Sequence, residues 1–320
     1  MRRLLTIWLF VLVPAFAIGT ATPSLAAEGR WTELTPMPIA AGGLDSATVN
    51  GLTYAIGGST SGFATFLQTT QVYAPKTNTW LELAPMPTAR INLAVAAAGG
   101  LVYAIGGYVG PGAPTKAVEA YDPITNIWHV AASLPDRRAS AAAVTVGGRI
   151  FVVGGVNGNP LGFATTTDVY DPSTDSWSFA APIPTPRIHL RAAVSGGQIY
   201  AIGGRDKAGV TSTVEVYRPT TNTWSEAAPM ITPRAVPGVA TGDDGVIYAV
   251  GGCCASGLPV AVTEAYNPAT DTWSTLAPMP TARGSLVASL GLDGEILAIG
   301  GFTGPPSNPS ASDLVEAFHP

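Results

Sequence analysis

Six glycine doublets cut this sequence into nearly equal parts, and that periodicity constrains the fold more than any other feature. The doublets are Gly57-Gly58, Gly106-Gly107, Gly154-Gly155, Gly203-Gly204, Gly251-Gly252 and Gly300-Gly301, at steps of 49, 48, 49, 48 and 49 residues. Tryptophans at Trp31, Trp80, Trp128, Trp177, Trp224 and Trp273 keep almost the same spacing. Between doublet and tryptophan lies an aromatic-x-Pro turn: Tyr73-Ala74-Pro75, Tyr121-Asp122-Pro123, Tyr170-Asp171-Pro172, Tyr217-Arg218-Pro219, Tyr266-Asn267-Pro268 and Phe318-His319-Pro320. Three markers in register six times define one supersecondary unit. A unit this short cannot bury a core by itself and must stack on its neighbours.

Each unit reads as four strands. In the second, residues 93–98 and 101–105 form small-residue strands, the latter ending at the doublet. Residues 117–121 form the third and 127–130, carrying Trp128, the fourth. Asp122-Pro123 with Thr125-Asn126 supplies the turn between the last two. Short strands with turn signals at regular spacing point to an all-β repeat fold.

A four-stranded unit with Gly-Gly, an aromatic-x-Pro turn and Trp resembles the kelch repeat, and the resemblance covers the whole chain after its first 26 residues. It implies a six-bladed β-propeller, with the first strand of each blade lining a central channel and the fourth outermost. Small residues suit the crowded axis and tryptophan the wider rim. Phe318-His319-Pro320 ends a third strand with no tryptophan strand after it, while residues 30–34 form an orphan fourth strand. The N-terminal strand is therefore expected to complete blade six and remove an open edge. The six units span residues 27–320 as one domain.

The first 26 residues read as a signal peptide. Arg2 and Arg3 precede an apolar run through Ile18, and Ser24 and Ala26 fit positions −3 and −1 of a cleavage site. The apolar run is shorter than a membrane span requires. A secreted or periplasmic location follows, with no membrane insertion after cleavage. Loss of the two arginines moves the formal charge from −5 to −7. That acidity argues against nucleic acid as a partner. Charged residues are only 12% of the chain, about half the usual share.

Function in such a fold belongs to loops at one mouth of the channel, because the sheets are committed to packing. One loop set joins second to third strands and includes Arg205, which opens the fourth of them, and Cys253-Cys254 in the fifth. The other set joins blades and carries a recurring arginine: Arg90, Arg138, Arg187, Arg234 and Arg283, with Ala41 at the equivalent first position. Two readings stand for these arginines. Each guanidinium holds carbonyls of a neighbouring blade, or together they ring the mouth with donors for carboxylates or sugar hydroxyls. Four residues further on, Asp45 and Arg191 interrupt a register otherwise filled by Ala94, Ala142, Gly238 and Val287. They belong to blades one and four, opposite each other, with His189 two residues before Arg191. The adjacent cysteines, the only two in the chain, suit either a strained vicinal disulfide or two small buried thiols.

The residues favour a monomeric binding module for a glycan or protein ligand. Sugar-directed catalysis is the second reading, since six-bladed relatives implied by the resemblance include sialic acid mutarotases. Asp45, His189, Arg187 and Arg191 would supply an acid, a base and a cation there. The copper chemistry of galactose oxidase, a seven-bladed relative, is not expected. Its ligand histidines and Tyr-Cys crosslink have no counterpart in three scattered histidines and two adjacent cysteines. No metal site and no cofactor are expected.

Overall fold

In the computed structural model, which describes residues 29–62, 64–158 and 162–320, every regular element is a strand. The segment read as a signal peptide lies outside the described residues. Six four-stranded antiparallel sheets follow one another. Blade one comprises Asp45–Val49, Leu52–Ile56, Thr70–Ala74 and Thr79–Glu82, hydrogen-bonded in that order. Blades two to five repeat the pattern, their first strands being Ala94–Ala98, Ala142–Val146, Arg191–Ser195 and Gly238–Thr241. Blade six takes Val287–Leu290, Ile296–Ile299 and Val315–His319 from the end of the chain and Arg30–Leu34 from its beginning. That strand pairs Trp31 with Phe318 and Leu34 with Val315, so the N-terminal strand does complete blade six.

The three sequence markers each have a mechanical cause. Tyrosine and tryptophan stand directly opposite one another on the third and fourth strands, as in Tyr73 with Trp80 and Tyr266 with Trp273. Their ring centroids lie 5.1 and 5.2 Å apart, a favourable tilted contact. Each indole N–H then donates to a carbonyl of the preceding blade. Trp80 reaches Thr35, Trp128 reaches Ala84, Trp177 reaches Ala132, Trp224 reaches Ala181, Trp273 reaches Ala228, and Trp31 reaches Ala277. The rim is thus tied around the full circle.

The turn after the tyrosine adds a second tie. Asn78, Asn126, Asp175, Asn222 and Asp271 adopt φ of 47 to 56°, a conformation that Asn and Asp tolerate better than most residues. Their Oδ1 atoms accept both the tyrosine hydroxyl of their own blade and a backbone N–H of the preceding blade. In blade six the third and fourth strands come from opposite ends of the sequence, so no such turn joins them. There the aromatic is Phe318, which has no hydroxyl to place.

Inward of the rim, each second-strand aromatic meets the third-strand aromatic of the next blade, as Tyr54 meets Tyr121 and Tyr248 meets Phe318. The core is therefore interfacial, lying between blades. Around the first such gap Tyr54, Val72, Met86, Leu93 and Tyr121 pack together. Two short ribbons not foreseen from sequence, Val156–Asn157 with Gly162–Phe163 and Phe302–Thr303 with Ser310–Ala311, stiffen two of the mouth loops.

Closure gives a direct test. Trp31→Ala removes the indole bond to Ala277 and the contact with Phe318, whose centroid is 5.3 Å away. The expected loss is about 2–4 kcal/mol in urea unfolding, as for other truncated half-buried tryptophans. Deleting residues 30–34 leaves the edge of blade six unpaired, and a much larger fall in melting temperature is expected.

Candidate functional site

The five recurring arginines are buried to within 1% of full enclosure. Each guanidinium points into its own blade. Arg90 donates from Nη1 to the carbonyls of Ala104, Gly106 and Ala117 and from Nη2 to Glu119 at 2.7 Å. Arg234 repeats this with Ala249, Gly251, Val262 and Glu264, and Arg283 with Ala298, Gly300, Leu314 and Glu316. Arg138 pairs with Asp168 and Arg187 with Glu215. Burial pulls the pKa of Arg90, Arg138, Arg234 and Arg283 down, and the facing carboxylate opposes it. With their donors answered within the blades, except the enclosed Nε of Arg138 and of Arg283, these side chains are staples, and no ring of free donors surrounds the mouth. The recurring acid that sequence reasoning missed sits two residues before each third-strand aromatic and was visible there. Blade one departs twice together: Ala41 replaces the arginine and Gln71 the acid. Gln71 bonds both the N–H and the carbonyl of Ile39, so neither charge is left alone.

Two residues past each staple the backbone turns left-handed. Gly43, Asn92, Ser140, His189, Val236 and Ser285 have φ of 48 to 66°. Each N–H donates to the carbonyl of its counterpart in the preceding blade, from Asn92 to Gly43 and on round to Gly43 itself, which donates to Ser285, at 2.8 to 3.1 Å. Six main-chain bonds therefore close a ring around the mouth. Only Gly43 and Asn92 hint at it in sequence; Val236, a β-branched residue in a strained region, conceals it.

Inside this ring a crossbar spans the channel. Arg191 of blade four reaches Asp45 of blade one, with Nη1 3.6 Å from Oδ1. Its Nε and Nη2 donate to the carbonyls of Pro237 and Leu286, in the linkers entering blades five and six. Asp45 accepts the N–H of Ser46 and, across to blade two, of Val95. Burial raises the Asp45 carboxyl pKa, and Arg191 opposes the rise. The pair thus meets across the channel as its opposite blades implied. A cavity of about 70 Å³ beside it is lined by Asp45, Ser46, Val95, Arg191 and Val287. A larger one of about 210 Å³ lies further along the first strands, among Ser46, Thr48, Thr241 and Ser289.

Another face of Arg191 borders a shallow recess with Asn92, Ser140, His189 and Val236. His189 is half-buried, and burial together with Arg191 and Arg205 pushes its pKa down to about 4, so the imidazole is neutral at pH 7. Arg205 opens the adjacent loop and is anchored by its main chain to Ile188. Its guanidinium makes no ion pair or hydrogen bond among the described residues. The neighbouring Asp206 carboxylate accepts the N–H groups of Ala208 and Gly209. Cys253 and Cys254 are free thiols in the next loop. Mouth candidates from the sequence thus separate into two groups. Asp45, His189, Arg191, Arg205 and Cys253 cluster at or beneath the mouth, and the five staples do not join them. Among the described residues no cluster of three or more His, Cys, Asp or Glu could hold a metal ion.

Two outcomes test this arrangement. Glu264→Gln leaves a buried guanidinium without its carboxylate and is expected to cost about 3–5 kcal/mol in urea unfolding. Arg149→Ala, which breaks the exposed pair with Asp171 at 3.2 Å, is expected to cost under about 1 kcal/mol. For His189 the folded pKa lies below the ordinary 6.5, so its contribution to stability is present above pH 6.5 and is lost as pH falls toward 4. Asp45, with a raised pKa, acts in the opposite sense. His189→Gln is accordingly expected to lose less melting temperature than the parent between pH 6.5 and 4.

With the geometry in place, comparison with known proteins agrees on the fold. A family profile described as the KLHDC2/KLHL20/DRC7 Kelch-repeats domain matches residues 92–301, and a Kelch motif matches residues 42–87. Among solved structures, that of a protein named YjhT superposes with a TM-score of 0.76 at 20% identity, covering 88% of this chain and 95% of that one. No curated protein matches the sequence. Since the first profile alone spans more than half of the sequence, the chain belongs to the kelch-repeat β-propeller family.

Proposed function

We propose that this propeller is a secreted or periplasmic binding module that takes a carboxylate-bearing glycan or protein ligand at the channel mouth. The observation that carries the reading is Arg205. A guanidinium without a partner, beside a neutral His189 and above the Arg191 crossbar, offers a paired donor edge to an incoming carboxylate. Asn92 and Ser285 add uncharged hydrogen-bonding groups on the same ring, suited to hydroxyls or peptide amides. Both Arg205 and His189 are held by main-chain bonds on either side, so the site is pre-formed and loses little on binding.

Sugar-directed catalysis, such as a sialic acid mutarotase-like epimerase, is a second reading favoured by one observation: an unprotonated imidazole stands beside two guanidiniums suited to a substrate carboxylate, although a pKa of about 4 makes it a weak base at pH 7. Against it, Asp45 lines the cavity beneath the crossbar and His189 the recess at the mouth, so acid and base do not share one cavity. We therefore place binding first.

Exchange NMR on the mature protein with sialic acids, uronic acids, acidic peptides and neutral sugars tests both readings. Line broadening confined to carboxylated ligands is expected. Arg205→Ala should then weaken binding roughly ten- to hundredfold, the loss of one charge-assisted bond of about 1.5–3 kcal/mol, with melting unchanged. Equal broadening by neutral and acidic ligands, or an unaffected Arg205→Ala, would remove the carboxylate reading. Accelerated anomer exchange would transfer the site to the enzymatic one.

A further inference from the structure

The adjacent cysteines occupy different chemical surroundings, and neither takes part in the binding proposed above. Cys253 is fixed at both main-chain polar atoms by Ala235, and its sulfur fills the space above Gly284 of blade six. A Cβ at that glycine would lie 2.2 Å from the sulfur, so the missing side chain is the seat of the thiol. Cys254 faces the other way, into its own turn. Its sulfur lies 3.0 Å from Ser256 Oγ and 3.5 Å from the Leu258 carbonyl. The turn is closed by Cys254 N–H to Leu258 and Gly257 N–H to Cys254.

We propose that this loop is a peroxide-sensitive modification site in which Cys254 is the attacking thiol and Cys253 the resolving one. The Cys254 thiolate attacks one oxygen of the peroxide. The O–O bond breaks, hydroxide leaves, and the sulfur, oxidised by two electrons, becomes a sulfenic acid. The Cys253 thiol then attacks the Cys254 sulfur and gives up its proton. The S–S bond forms, the S–O bond breaks and water leaves, so two thiols and one peroxide yield one disulfide and two waters. The surroundings divide the roles in this order. The Ser256 hydrogen bond holds the Cys254 thiol below its ordinary pKa, whereas burial pushes Cys253 up to about 11. Adjacent Cα atoms are about 3.8 Å apart across a trans peptide, under the usual disulfide span. The product is therefore strained and easily reduced, a switch instead of a permanent brace. Forming it draws the Cys253 sulfur off Gly284.

The test is titration of the fully reduced full-length chain with hydrogen peroxide, read by mass spectrometry on the peptide holding both cysteines. Loss of two hydrogens, blocked alkylation and full recovery with dithiothreitol are expected. In Cys253→Ser the reaction should stop at a dimedone-trappable sulfenic acid on Cys254. In Cys254→Ser, oxidation of Cys253 should be at least about tenfold slower than that of Cys254 in the parent. An oxygen adduct without loss of hydrogens in the parent, a disulfide between chains, or equal rates at the two cysteines would overturn the assignment. The parent measurement stands even if a variant folds poorly.

Discussion

The ring depends on one kind of junction, the residue that carries the staple. The carbonyl of Arg138 accepts the N–H of Gly107 in the preceding blade, while its guanidinium caps the Gly154 carbonyl in its own. The same holds for the other four staples, whose side chains reach the carbonyls of Gly106, Gly203, Gly251 and Gly300 at 2.7 to 2.9 Å. Doublet and arginine therefore alternate around the circle, each locking the next. A Cβ on Gly106 would stand 2.2 Å from the Arg138 carbonyl, and one on Gly107 2.9 Å from Leu93 Cβ. Both glycines also have positive φ, so two independent constraints demand the residue there.

Burying five guanidiniums is expensive unless every donor is answered. The blades answer all but the Nε of Arg138 and of Arg283, using the ends of the second and third strands, whose carbonyls would otherwise point at no partner where the sheet stops. Arginine suits the place because its flat fork serves several acceptors at once and stays charged when enclosed. Ala41 shows the condition by exception. Its carbonyl still accepts the Gly301 N–H, so the main-chain half of the junction survives, while Gln71 replaces the acid that would have been stranded. Charge is removed from both partners or from neither.

Most of the fold was legible because each marker answers to a local demand that recurs in every blade. Gly106-Gly107 must avoid a carbonyl, Trp128 must reach Ala84, and Tyr121 must meet both Trp128 and Asn126. The opposition of Asp45 and Arg191 was legible for the converse reason, as a break in a register that repetition had made predictable. What stayed hidden was made of main chain. The six-bond ring through Gly43, Asn92, Ser140, His189, Val236 and Ser285 uses atoms that every residue possesses, so the side chains there record it poorly. The fate of the arginines was ambiguous for a related reason. Spacing locates a side chain on a loop without saying whether it turns outward to the mouth or back into the blade, and the carboxylates that settle the matter lie about thirty residues downstream.

That hidden ring also bears on the site proposed at the surface of the mouth. Its amides and carbonyls are consumed pairwise, so the main chain offers a ligand little at this level, and the proposed recognition falls to the side chains around it and the loops above them. Beneath it, Arg191 crosses the channel to pair with Asp45 and donates to the carbonyls of Pro237 and Leu286. A ligand at the proposed site therefore meets the Arg191–Asp45 pair as its floor. Blade four supplies both cations, Arg191 and Arg205, with the uncharged His189 two residues before Arg191 and in electrostatic reach of both. Depressing the imidazole's affinity for a proton is the cost of its burial and of that crowding. It is also what keeps the floor from accumulating a third charge, so that one carboxylate can balance Arg205 while Asp45 continues to balance Arg191.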